Sequence, residues 1–172
     1  MKRRLLLQSI PAWVAAPAAH AAEAFPTKPI TWICPYGAGG NADTRSRLVA
    51  KGMSTVLGQP IIVDNKAGAG GNIGTQAFLQ DKPDGYSILM ATSSTNAAGP
   101  HLFANQGFDA AKDFTPVVLV CTIPNIMVVP ASSPWNSLKD LMADAKQNPG
   151  KFTYGSAGIG ASQHLAGAQF KT

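Results

Sequence analysis

The feature that most constrains this chain is a strand, turn and helix unit that recurs with glycine at the turn. The apolar run ITWIC, Ile30 to Cys34, enters PYGAGGNAD. An amphipathic helix pattern follows over residues 43–57, with apolar positions at Leu48, Val49, Met53, Val56 and Leu57. A second run, Ile61–Asp64, enters AGAGGNIG and a short helix through Ala77 and Phe78. Pro83-Asp84-Gly85 then turns the chain into a third strand, Ser87–Ala91, whose end carries the hydroxyl-rich TSSTN instead of glycines. Strand-length apolar runs alternating with helical patterns predict an α/β fold, a mostly parallel sheet covered by helices.

The pattern loosens further on. Val117–Thr122 and Ile126–Val129 are expected strands, separated by Ile123-Pro124-Asn125, where the chain leaves one lobe for another. Ser137 opens a helix, with Asp140 in capping-box spacing and Leu138, Leu141, Met142 and Ala145 on its inner face. Lys151–Tyr154 reads as a strand, and GSAGIGAS opens a last helix in which Leu165 and Phe170 need a partner surface. The expected organisation is a leader over residues 1–21, a first lobe over 22–123 and the start of a second, truncated lobe over 124–172.

The leader rests on Lys2, Arg3 and Arg4, an apolar but proline-broken run from Leu5 to Ala18, and the small-x-small site Ala19-His20-Ala21. The run is too short to span a bilayer. Export by the general or the twin-arginine route is left open by Arg3-Arg4. Without the leader's three cations, 11 basic residues face nine acidic ones, so the net charge falls from +5 to about +2. The remaining cations are scattered, which excludes an electrostatic footprint for nucleic acid. Cys34 and Cys121 both sit in apolar runs. Buried free thiols are the preferred reading, and a disulfide formed after export stays open.

Three strand-to-helix turns are glycine-rich: Gly37–Asn41, Gly68–Gly74 and Gly155–Ser162. In open α/β sheets, ligands bind beyond the carboxyl ends of the strands, where such turns gather. Glycine lets the backbone come close to a ligand, and helix N-termini offer unpaired N–H groups to anions. Several turns around one cleft suit a small carboxylate held by main-chain donors. A dinucleotide is the competing reading, because Gly37, Gly39 and Ala42 satisfy G-x-G-x-x-[G/A] and Asp64 follows about twenty residues on. Against it, Asp43 would stand beside any pyrophosphate; it is expected instead to cap the helix and offset its dipole.

Catalytic readings find little. There is no G-x-S-x-G elbow, no phosphate loop, no C-x-x-C and no H-E-x-x-H, so neither a cofactor nor a metal is expected. His101 follows a Gly-Pro turn and is expected at the surface or in packing. His164 either lines the cleft or packs. Ser162 and His164 are two residues apart and point to different helix faces, so they form no nucleophile–base pair. The sole glutamate, Glu23, lies in the mature N-terminus, and no paired carboxylates suggest acid–base work.

The phrases FPTKPITWICPYGAGGNADTRSR, LGQPIIVDNKAGAGGNIGTQ, PDGYSILM, KDFTPVVLV, PNIMVVP and NPGKFTYGSAGIGASQHLAG resemble, in order and spacing, the substrate-binding proteins of tripartite tricarboxylate transporters, the Bug family of periplasmic solute receptors. The resemblance runs from about Phe25 to the last residue. It implies a type II periplasmic-binding-protein fold whose two lobes close on a small carboxylate, by hinge motion across the Ile123–Ile126 crossover. The ligand would pass to a membrane permease of one large and one small subunit, or be sensed. A monomer is expected. Carried over residue by residue, first-lobe contacts come from Tyr36, Gly37, Ala38, Gly39, Gly40, Gly70, Gly71, Asn72, Ser93, Ser94, Thr95 and Asn96. The second lobe adds Ser156, Ala157, Gly160, Ala161, Ser162 and His164. Family members commonly carry a Phe-like residue or Pro where this chain has Tyr36 and Gly37, and they are about twice as long as the mature chain.

Overall fold

The computed structural model describes residues 24–171, so the leader assigned to residues 1–21 lies outside the described residues. Three parallel strands form one sheet: β1 (Ile30–Cys34) in the centre, β2 (Ile61–Asn65) on one side and β3 (Ser87–Leu89) on the other. Ile30 stands opposite Ile61, Cys34 opposite Asn65, and Trp32 opposite Ile88. The central strand is the most buried because it has neighbours on both edges: Ile30, Trp32, Ile33 and Cys34 are all closed off from solvent.

Helix α1 (Asn41–Leu57) crosses from β1 to β2. Strand side chains alternate between faces, and Trp32 points to the α1 side. There it packs with Ala50 and Met90, flanked by Ala42, Val49, Met53, Ile61, Val63 and Ile88. Of the expected apolar helix positions, Val49 and Met53 join this core, whereas Leu48 and Val56 face outward. Helix α2 (Asn72–Phe78) leads from β2 towards β3 and packs on β1 and β3. Its approach to β1 depends on Gly74: a Cβ there would lie 2.5 Å from the Lys66 carbonyl and 2.7 Å from Pro35 Cα. The third strand ends at Leu89, two residues earlier than expected. From Ser93 the chain winds into a wide π-helical turn (Ser94–Ala98) continued by α3 (Gly99–Leu102). A cluster of Phe78, Phe108 and Phe114, with ring centroids 5.5–6.1 Å apart, ties the following loop to α2.

The later expectations divide. Helix α4 (Leu138–Gln147) starts where Ser137 predicts, with the Asp140 N–H donating to Ser137 Oγ at 3.2 Å. Helix α5 (Ser162–Phe170) follows the third glycine loop. Val117–Thr122, Ile126–Val129 and Lys151–Tyr154, however, have no regular secondary structure and are not strands. A strand exists by pairing its backbone groups, and no partner for these runs is present among the described residues. Their side chains are correspondingly open: Val117, Leu119, Ile126 and Val128 are exposed. Leu138 and Met142, expected on an inner face of α4, are exposed for the same lack of a covering layer.

Candidate functional site

The strand order places β1 between β2 and β3, so the chain leaves the carboxyl end of β1 towards one side and that of β2 towards the other. In open α/β sheets a ligand crevice forms at such a switch point, bounded by the loops that follow the strands. The residues found there are those the glycine pattern singles out. Tyr36, two residues past β1, reaches across it: its hydroxyl is 2.7 Å from Thr92 Oγ1 beyond β3 and donates to the Gly70 carbonyl at 3.3 Å. One side chain thus joins all three strand-end loops.

The second loop can come this close because it lacks side chains. Gly71 has φ +104°, and a Cβ there would lie 2.6 Å from Thr95 Cγ2 and 3.1 Å from the Tyr36 hydroxyl. The third glycine loop closes on the same place. The Ile159 carbonyl lies 2.5 Å from where a Gly70 Cβ would be, and Gly160 backs against Leu102 and Phe103. Tyr36, Gly70, Gly71, Thr95 and Gly160 are therefore gathered. Gly37, Ala38, Gly39 and Gly40 form the open lip of the first loop, and Ser93 is also exposed, while Ser94 and Thr95 are buried. Thr95 Oγ1 donates to Asn96 Oδ1 at 2.6 Å, and the Asn96 N–H donates to the Thr92 carbonyl at 3.0 Å.

Asp43 does not cap α1, contrary to expectation. Gly40 occupies the cap position without a capping side chain, and Asp43, in the first turn, reaches back into the loop. Its carboxylate accepts from the Gly39 N–H at 2.8 Å, from Arg47 Nε at 3.1 Å and from Asn65 Nδ2 at 3.0 Å, and pairs with Arg47 Nη2 at 2.9 Å. Asn65 also donates to the Tyr36 carbonyl at 3.0 Å. The Arg47 hydrogen bond and then the Gly39 N–H hold the Asp43 carboxyl down at about 2. Asp43 is 3% exposed, and its bonds make it a clamp that fixes the glycine loop. The clamp uses the Gly39 N–H, and the Gly40 N–H goes to the Gly37 carbonyl at 3.3 Å. The unpaired donors at this end are the first-turn N–H groups of α1, which no intrahelical carbonyl can reach. Helix α5 likewise opens at Ala161 with no capping side chain, whereas α4, remote from the crevice, is capped.

The remaining assignments resolve individually. Ser156 Oγ accepts from the Gly158 N–H at 3.3 Å and Ala157 is exposed. His164 Nδ1 accepts from the Gly160 N–H at 3.4 Å, so it braces the third loop, while Ser162 Oγ donates to Asn125 Oδ1 at 3.1 Å. His101 is exposed. Asp64 lies within β2 and pairs with Lys66 at 3.5 Å. Both cysteines are free: Cys34 is buried, and burial raises its thiol pKa, but Cys121 is exposed, contrary to its apolar sequence context. No cluster of side chains that could hold a metal occurs among the described residues. Sequence reasoning missed Asn65 and Gln106. Asn65 is the residue after the second strand's apolar run, and that position alone could have flagged it.

A parallel sheet with helices across it and glycine loops gathered at its switch point fits one lobe of a periplasmic-binding-protein fold, and comparison with known proteins shows that fold. Residues 46–172 match the tripartite tricarboxylate transporter family receptor, and the chain belongs to that family. It is 40% identical over 146 residues to a UPF0065 protein from the tcbD-tcbE intergenic region of Pseudomonas sp. (strain P51), covering 85% of this chain and 43% of the relative. It is 36% identical over 155 residues to protein BugT of Bordetella pertussis, covering 90% and 47%. Among solved structures, R. palustris Rpa4515 with adipate superposes with a TM-score of 0.83 at 34% identity, covering 86% and 49%. MatC of Rhodopseudomonas palustris with bound malate gives 0.54 at 36% identity, covering 56% and 33%. The chain spans less than half the length of the curated relatives it matches.

Proposed function

We propose that this chain carries the first lobe and the opposing loop of a periplasmic receptor that captures a small carboxylate for a tripartite tricarboxylate-type permease or a sensor. The observation that carries the reading is the meeting of Tyr36, Gly70, Gly71, Thr95 and Gly160 at the switch-point crevice. Unpaired N–H groups at the uncapped start of α1 and of α5 suit an anion. The amide groups of Asn72 and Asn96 add neutral donors. The dicarboxylates bound in the adipate and malate structures support the ligand class. Binding is favoured over catalysis by two orientations: His164 is turned to Gly160 and Ser162 to Asn125, so neither serves the other. In this reading Tyr36, Asn72 and the loops at 37–40, 93–96 and 156–162 contact the ligand, and Asp43 fixes the first loop. The test is a thermal-shift screen of the chain against carboxylic acids, neutral sugars and nucleotides. A rise in melting temperature with dicarboxylates alone is expected; a rise with sugars or nucleotides alone overturns the reading.

A further inference from the structure

Gln106 stands in none of the glycine loops, yet its carboxamide is enclosed where two strand-end loops meet. It is 6% exposed, as is Asn72. Gln106 Nε2 donates to Asn72 Oδ1 at 2.8 Å and to the Thr95 carbonyl at 3.0 Å. The residue is itself held: its carbonyl accepts from Gln76 Nε2 at 2.6 Å, and its amide lies against Gly99, where any Cβ would collide with it. Gln106 Oε1 is buried and receives no hydrogen bond.

These contacts have a polarity. The Thr95 carbonyl can only accept, so it compels Gln106 to present Nε2. Nε2 in turn compels Asn72 to present Oδ1 to it. The Asn72 amide nitrogen is thereby left at the start of α2 as a pair of donors, beside Gly71 and the crevice. We propose that Gln106 is a positioning residue of the carboxylate site, orienting Asn72 so that it offers N–H donors and never its oxygen to the ligand. The inference rests on the carboxylate reading above and sharpens it: the ligand group at Asn72 must be an acceptor. An apolar residue of the same size would remove the cost of the unbonded Oε1 but would leave the buried Asn72 Oδ1 and Thr95 carbonyl without their donor, so Gln106 also holds these two loops together.

The test compares the wild-type chain with Gln106→Met and Asn72→Asp by titration calorimetry against adipate and by thermal melting. Gln106→Met keeps the volume and releases Asn72. The expected result is a lowered melting temperature, since the buried Asn72 Oδ1 and Thr95 carbonyl lose their donor, and, at a temperature where both chains remain folded, adipate affinity weakened about five- to tenfold. Asn72→Asp replaces the donors with a charge and is expected to abolish binding. Wild-type affinity in Gln106→Met overturns the positioning role while leaving the carboxylate reading intact. So does adipate binding retained by Asn72→Asp. If wild type itself binds no carboxylate, both proposals fall.

Discussion

Two glycines in helices separate local helix preference from tertiary contact, and the structure assigns them opposite signs. Gly52 lies within α1 with no atom inside 4 Å of where a Cβ would stand, so Gly52→Ala meets open space. Alanine there gains about 0.5–1 kcal/mol from helix preference alone. Gly74 lies within α2, and the same gain is available, but its Cβ would stand 2.5 Å from the Lys66 carbonyl and 2.8 Å from Pro35 Cβ. Two of its three close neighbours are backbone at the exits of β1 and β2, so relief requires moving the strand ends that carry Tyr36 and the second glycine loop. Overpacking of this kind costs about 1–3 kcal/mol, leaving Gly74→Ala destabilised by up to about 2.5 kcal/mol net once the helix gain is subtracted. Urea denaturation of the two variants beside wild type, followed by Trp fluorescence, measures both. The predicted separation between them is about 2 kcal/mol. A Gly74→Ala variant as stable as Gly52→Ala would refute the close approach of α2 to β1, and with it the placement of the second loop.

Other consequences follow from single contacts. Tyr36→Phe removes the bonds to Thr92 and Gly70 and is expected to lower stability by about 0.5–1.5 kcal/mol and to weaken carboxylate binding, read by chemical denaturation and calorimetry. The Asp43 carboxyl sits at about 2 in the folded chain against an ordinary 3.8, so its stabilising contribution is complete above pH 3.8 and is lost as the pH falls towards 2. Asp43→Asn should flatten the acid-unfolding curve across that window, and an unchanged slope would contradict the clamp. With both thiols free, a maleimide should label Cys121 promptly in the native chain and Cys34 only on unfolding. Mass spectrometry counts the adducts, and a disulfide-linked species would contradict it.

The parallel α/β order is legible in the sequence because it depends on local patterns: ITWIC, the 43–57 periodicity and the Ser137–Asp140 pair each specify their element from their own residues. The runs at 117–122 and 126–129 mislead because an apolar run records a tendency to be buried, while strand formation needs a partner backbone that no local pattern contains. Asp43 misleads through the same kind of limit. A carboxylate in a first helical turn ordinarily serves the helix, but Arg47 and Asn65, one turn and one strand away, draw it back to the Gly39 N–H. Gln106 is invisible in the sequence because its partners, Asn72 and Thr95, lie 34 and 11 residues away.

The central claim is that these loops hold the negative charge of a carboxylate through main-chain and amide donors. Titration of the chain with adipate and with the neutral diol of equal carbon length tests it most directly, since the two differ only in their terminal groups. Saturable adipate binding with no heat from the diol is predicted; equal binding of the diol, or none of the acid, would contradict it.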